Sequence, residues 1–452
     1  MQAKRLWTLW QALLRPFAGA FTCRGWRRFV EWVTGLAVNV EEHTITQSLV
    51  GLDRAQDWKA LETFAEVGHW KEHWVDYFLA RQVETAPGRQ WYGYHVEAVD
   101  DTKVHRSSKR VWGTCTFHEY TARCPNRATT VRAHNWVVAG ALLHNPDQPA
   151  WFLPLAGELY FRKAQRPYQH GRSGPREPFR TKCVLAVELL RRQARGGHAQ
   201  HLGLMDGAFA VRSVVRPLLR PPSGEPRIDI LTRLRQDARV YRLPPGRRRH
   251  GQRGPTPRWG PQLPPPRQGG RWPGPWHTGQ AWVYGRLRQV RWKEVRCLWR
   301  VAGPEVAVQA VVARVEGYRK RFTLVTSAAE LSGLQVVELF CARFRQEDGF
   351  RDLKQRLGWE ECRAWTKNPI RRTTQALFVT MTLLRLLQFR LAAAGEDDWW
   401  LPPPWNPGKT RPSVLDVERL LRRHRDRIQQ LLAAWLEEGE TATGAAAQGV
   451  AM

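Results

Sequence analysis

The sequence predicts an α/β protein with a mixed core, a β-rich basic insertion inside that core, and helical regions at both ends. Three observations lead there. Apolar residues recur at helical spacing over 1–85 and again beyond 330. Short alternating runs bounded by turn residues fill 90–235. A segment dense in Pro, Arg and Trp then interrupts that order. With 42% hydrophobic residues in 452, the chain can bury a sizeable core, which excludes a wholly disordered or fibrous protein.

The N-terminus starts with Lys4 and Arg5 and an apolar stretch over 6–14, which imitates a secretory signal until Arg15-Pro16 cuts it short. Leu6, Leu9, Trp10 and Leu13 fit one helical face instead. No run reaches 18 apolar residues, so no membrane span is expected. Ile45, Leu49 and Leu52 share a face, and a turn at 51–53 leads to a helix carrying Trp58, Leu61 and Phe64. A DNA-binding helix-turn-helix and an ordinary helical bundle both fit this pattern. His69 and His73 lie four apart without the glutamate of a zinc motif and read as surface histidines.

Residues 92–102 read as a strand ending in two aspartates, followed by strands over 111–117 and 131–143. The stretch 146–178 reads as loop. A helix over 181–195, an apolar strand over 201–206 ending in aspartate, a helix over 209–219 and a strand over 227–234 follow. Three strands, a helix, a strand, a helix and a strand form an α/β layout of the ribonuclease H kind. Residues 243–276 then hold ten prolines, and 242–300 hold 13 Arg and one Lys against one Glu, a net of +13, with six Trp. With strand-like pieces over 282–315, this makes 236–322 an insertion. Trp282, Trp292 and Trp299 suit the packing of a small sheet. Trp259, Trp272 and Trp276 lie among prolines and glycines, where stacking on unpaired bases is the alternative to disorder. Beyond it come a strand over 322–326, one helix over 334–357 and a second over 371–391 with the stripe Leu377, Met381, Leu384 and Leu387. A Pro-rich linker over 399–412 leads to a basic helix over 414–436 capped by Ser413, and the tail from 439 is disordered in composition. The expected divisions are 1–85, a helical DNA-binding region; 86–235, the first part of the core; 236–322, the insertion; 323–395, the end of the core; and 396–452, the linker, helix and tail.

The charge names the partner. Lys and Arg outnumber Asp and Glu by 71 to 41, a net of +30, and a balance this basic suits a polyanion, most commonly nucleic acid. The 23 Trp exceed what packing needs, and aromatic faces among Arg side chains suit unpaired bases. The seven Cys are odd in number and never spaced Cys-x-x-Cys, as expected of reduced residues in a cytoplasmic protein.

Two strands end in aspartate, Asp100 and Asp206, and functional groups gather at such ends in α/β sheets. In the helix over 334–357, Phe340, Arg343, Glu347 and Lys354 are spaced by three, four and seven residues and project from one side. A carboxylate between two cations on one face suits a metal site beside DNA phosphates, although an ordinary solvated ion-paired face has the same spacing. Phe340-x2-Arg343-x3-Glu347-x6-Lys354 resembles the Tyr-Arg-Glu-Lys signature of bacterial DDE transposases in the insertion-sequence-four group. Asp100 in VDDT and Asp206 in LMDGAF resemble that family's first and second acidic positions. Asp101 competes with Asp100, but the family's Asp-x-Thr spacing selects Asp100, and Asp101 points to the opposite strand face. Phe340 replaces the family's Tyr, and Gly-Ala-Phe follows Asp206 where the family often has Arg-Gly.

The resemblance, over roughly 90–395, implies a ribonuclease H-like core with a β-rich insertion before the catalytic helix. It implies that Asp100, Asp206 and Glu347 bind two Mg²⁺ (or Mn²⁺) ions, one activating water or a 3′-hydroxyl and the other stabilising the leaving oxygen. Phe340, Arg343 and Lys354 would lie at the phosphates. The implied partners are the terminal inverted repeats of a mobile element and then target DNA, bound by a homodimer associated with the nucleoid. A ribonuclease H-like nuclease without strand transfer, an inactive transposase-derived DNA-binding protein and a basic packaging protein remain open readings.

Overall fold

This computed structural model describes residues 2–448 except 120–128, 147–148, 164, 170–171, 176, 196, 198, 246–254 and 397, with the backbone alone at 169, 172–173 and 439–448. Cys124 lies outside the described residues, as does part of the Pro-rich loop.

Five helices come first: α1 Ala3–Leu14, α2 Cys23–Val38, α3 Ile45–Val50, α4 Trp58–Val67 and α5 Glu72–Glu84. Thr22 and Thr44 start two of them, each hydroxyl accepting from the amide three residues on. Strands β1 Gln90–Trp91, β2 Tyr94–His105, β3 Cys115–His118, β4 Thr130–Leu143 and β5 Trp151–Leu159 follow, then a two-residue hairpin, β6 Tyr168–Gln169 and β7 Arg172–Ser173. Next come α6 Lys182–Ala194, β8 Gln200–Met205, α7 Arg212–Leu219, β9 Ile228–Arg233 and β10 Val240–Tyr241. The chain continues through β11 His277–Val283, β12 Arg286–Trp299, β13 Ala307–Val315 and β14 Phe322–Thr326. Helices α8 Gly333–Ala342, α9 Arg345–Gln355, α10 Lys367–Ala393, α11 Val414–Arg423 and α12 Arg425–Gln448 complete it.

The result is a mixed α/β molecule around one twelve-stranded, mostly antiparallel sheet, ordered β10-β12-β13-β14-β9-β8-β2-β4-β3, with β1 on β2, β5 on β4 and β11 on β12. Among the described residues only β2, β8 and β9 run parallel. Residues alternate between two cores: Val96, Ala98, Leu202 and Leu204 join one with the N-terminal helices and α8–α12, while Val99 and Met205 join another with α6 and α7. Helix α10 alone, among the described residues, is long and apolar enough to cross a membrane, and 72% of its apolar window is buried inside the molecule. It is the central helix of the first core.

Four expectations are corrected. The stretch read as loop over 146–178 contains β5. Pro154 hid it, but β5 pairs with β4 alone, and Pro154 faces Gly140 at an irregular step in the register, so no ladder bond is lost. Segment 236–322 does not build a sheet of its own. Its β12 and β13 continue through β14 into β9, so its strands extend the main sheet. The single helix over 334–357 is two, α8 and α9, meeting at Arg343–Phe344. The last helix also breaks, at His424, and α12 runs on to Gln448 through the tail read as disordered. Ser413 does cap α11, in a capping box with Asp416.

Candidate active site at the ends of the parallel strands

Val99 of β2 lies opposite Met205 of β8, so Asp100 and Asp206 follow side by side where the parallel pairing stops: β8 ends at Met205, whereas β2, expected to end at its aspartates, runs on to His105 against β4. Alternation turns both toward the α8–α9 face, the side of Ala98 and Leu204. Asp101 turns the other way, where its Oδ2 accepts from Lys182 Nζ on α6 at 2.6 Å. Asp206 is anchored locally: its carboxylate accepts from the Ala208 amide, and its carbonyl accepts from the Thr232 hydroxyl of β9 at 3.0 Å.

Glu347 arrives on the first turn of α9. Two features press that helix onto the sheet. Gln346 is fully buried and its amide donates to the Val138 carbonyl at 3.0 Å and the Ala98 carbonyl at 3.4 Å. Gly349 lets the helix touch Phe152 of β5, where a Cβ would collide with the ring. Sequence reading missed Gln346, although an uncharged residue inside the charged run RFRQED was the available signal. At the α8–α9 junction the helical ladder tightens, with Gln346 and Glu347 amides bonding back three residues to Arg343 and Phe344. The ring of Phe344 meets Tyr284, from the β11–β12 turn, edge-on at 5.4 Å.

Arg343, at that junction, connects the carboxylates. One guanidinium nitrogen donates to Asp100 Oδ2 at 2.7 Å and the other lies 3.5 Å from Glu347 Oε1. Phe340 is buried beneath it, the guanidinium standing 5.9 Å above its ring. That corrects the assignment of Phe340 to phosphate: it is a packing surface for Arg343. Lys354 sits farther along α9, 4.0 Å from Glu360, and burial lowers its pKa against the raising effect of Glu360 and Glu119.

Burial pushes the Asp100 carboxyl up to about 6, opposed by Arg343 and reinforced by Asp206 and Asp101. An all-oxygen donor set of this kind suits a hard divalent cation. Among the described residues no three His, Cys, Asp or Glu side chains yet stand close enough to share an ion. Asp100 and Asp206 are neighbours, while Glu347 reaches them only through Arg343. Chemically the donors fit; in position the third stands apart.

The tryptophans separate. Trp272 is 2% exposed and its indole donates to the Pro264 carbonyl at 2.7 Å, so it is a core residue and not a stacking surface. Together with Leu263 it docks this half of the Pro-rich loop onto the α6–α7 core without DNA. Trp259 packs on Tyr241 at 4.9 Å. Trp276 is half-buried, with Lys293, Arg314 and Arg291 at 5.2, 5.5 and 5.9 Å from its ring. It packs against the α6–α7 core, the sheet face opposite Asp100, so the segment approaches the α8–α9 junction through Tyr284 and Phe344 rather than through Trp276. Trp299 is core as expected, and Trp292 packs beside Gly333 at the start of α8.

A family model described as DDE superfamily endonuclease matches residues 16–298. The chain belongs to that family. The match includes Asp100, Asp206 and most of the N-terminal helices, and ends before α8 and α9. DDE superfamily enzymes act on DNA and use divalent metal ions. No curated protein matches the chain.

Proposed function

We propose that this DDE endonuclease is a transposase of the insertion-sequence-four kind that cuts and joins strands at the ends of its own element. The observation that carries the reading is the pair Asp100 and Asp206 side by side where the parallel β2–β8 pairing stops, joined through Arg343 to Glu347. On this reading the strands from β2 to β9 with α6 and α7 form a ribonuclease H-like core, and 236–322 is the insertion before the catalytic helix.

Asp100, Asp206 and Glu347 would hold the divalent ions, Mg²⁺ or Mn²⁺, which supply Lewis acidity at the scissile phosphate and a nucleophile at neutral pH. The chain's own groups do the rest. Gln346 and Gly349 fix the helix that carries Glu347, while Arg343 and Lys354 face the phosphates and set their register. Arg291 and Arg314 around Trp276 would make a second, cationic contact for DNA on the far face of the sheet, with Trp259 as a further stacking surface. The N-terminal helices would add a contact to the duplex, and the protein would act as a homodimer in the cytoplasm, on the nucleoid.

The test uses the DNA flanking the reading frame. Mg²⁺-dependent nicking at terminal inverted repeats, followed by joining to a target plasmid, supports the proposal. Nicking without joining leaves a nuclease, and binding without nicking leaves a DNA-binding protein derived from a transposase. If roughly six to ten phosphates are contacted, affinity falls about 10³–10⁵-fold between 50 and 200 mM salt.

A further inference from the structure

We infer that Arg343 is a positioning residue with two seats: in the free protein it keeps Glu347 out of the metal site, and it leaves for a DNA phosphate when substrate binds. The inference rests on the assignment of Asp100, Asp206 and Glu347 as the metal-holding groups.

Four observations carry it. The guanidinium occupies the space between Asp100 and Glu347, at 2.7 and 3.5 Å, where an ion shared by those carboxylates would have to sit. A cation there neutralises the carboxylates and spaces them apart, which accounts for the missing three-ligand cluster among the described residues. The seat is imperfect. Arg343 Nε is buried without a hydrogen-bond partner, and a buried unsatisfied donor is costly. A planar fork of donors meeting a phosphate can satisfy more of them at once. Finally, Arg343 stands at the one tightened step between α8 and α9, so a small change of backbone there re-aims its side chain without moving either helix from its core.

Divalent ions therefore compete with Arg343 for the carboxylates, and DNA relieves the competition by offering the guanidinium another anion. Metal binding and DNA binding are then coupled, and each tightens the other. The coupling would keep the nuclease idle in a cell full of Mg²⁺ until its DNA is in place.

The experiment measures Mn²⁺ affinity by electron paramagnetic resonance on the full-length protein, with and without a duplex carrying an element end. Wild type should bind Mn²⁺ weakly alone and about tenfold more tightly with DNA, a factor equivalent to about 1.4 kcal/mol. Arg343→Gln should bind Mn²⁺ about tenfold more tightly than wild type without DNA and gain little when DNA is added. Arg343→Lys, which keeps the charge but cannot fork between two carboxylates, should fall between them and guards against misfolding of the glutamine variant. Asp100→Asn in the Arg343→Gln background should abolish the tight site. Equal, Asp100-dependent affinities in wild type and both Arg343 variants would overturn the two-seat role while leaving the metal site intact. Mn²⁺ binding that ignores Asp100 in every variant would overturn the metal assignment itself, and this inference with it.

Discussion

Asp100 and Asp206 stand on adjacent parallel strands in the middle of a twelve-stranded sheet, whereas Glu347 stands on the first turn of a helix that begins after a tightened junction. The strand pair is fixed by backbone register, and Asp100 is desolvated enough to lift its carboxyl to about 6. Glu347 has a side chain 49% exposed and touches the pair only through Arg343. Two carboxylates are thus set by the fold itself, and the third by how a helix lies on it. Family resemblance divides along the same line, since the family model matches the strands and ends before the helix.

The largest effect should come from the charges themselves. Asp100→Asn, Asp206→Asn and Glu347→Gln should each lower Mg²⁺-dependent nicking by on the order of 10³-fold or more, because each removes several kcal/mol of metal-borne stabilisation. Binding of element ends should persist in all three, measured by gel shift. The comparison sharpens in the melting curves: Glu347→Gln, half exposed, should change stability by less than about 0.5 kcal/mol. A Glu347→Gln variant that nicks normally would remove the helix from the site and leave the strand pair to be explained alone.

Next in size is the position of the helix. Alanine is favoured over glycine in a helix by about 0.8–1 kcal/mol, so Gly349→Ala ought to stabilise α9 on propensity alone. Here the added Cβ meets the Phe152 ring on β5, and overpacking costs about 1–3 kcal/mol. We expect a lowered melting temperature and nicking reduced about 10²-fold, since a displacement near 1 Å at a reacting centre costs about that much. A Gly349→Ala protein that is more stable and fully active would show that α9 does not need its close seat.

The same contrast between fixed and reaching groups extends to the tryptophans. Trp272→Ala empties a buried site and should cost about 3–5 kcal/mol of stability. Trp276→Ala, half-buried, should cost less stability than Trp272→Ala and weaken DNA binding by about 1–3 kcal/mol, the worth of one stacked base. Equal DNA affinity for Trp276→Ala and wild type would make the cations around the ring the whole of that contact.

What the sequence made legible follows the same division. Strand alternation was readable because a period of two leaves a local mark, whereas the end expected at Asp100 was not there, since β2 runs on to His105. The choice of Asp100 over Asp101 came from the family's Asp-x-Thr spacing, while alternation put Asp101 on the opposite face, where it meets Lys182. The break at Arg343–Phe344 was not readable, since neither Pro nor Gly marks it and the residue that packs on Phe344 there, Tyr284, is distant in the chain. Strand β5 was hidden by Pro154, harmless only because β5 pairs on one side. Trp272 was misread because its core is assembled from residues far away in the chain, while the Pro-rich stretch around it shows no periodicity of its own.

The gentlest test is the pH dependence of folding. Asp100 has an ordinary value of 3.8 and a folded value of about 6, so between those limits the folded protein keeps a proton that the unfolded chain has released. Its contribution to stability is full below pH 3.8, declines as pH rises through the window, and is level above about 6. One proton limits the slope to about 1.4 kcal/mol per pH unit. Asp76, buried between α5 and α10 and also raised to about 6, and Glu418, raised by burial to about 7, titrate in the same window, so the wild-type slope contains more than Asp100. The difference between variants isolates one. Urea denaturation of the metal-free protein at steps from pH 4 to pH 7 should give Asp100→Asn a shallower decline than wild type. If the two slopes coincide, burial of Asp100 is not felt as a charge, and its desolvation is no part of what the site offers a cation.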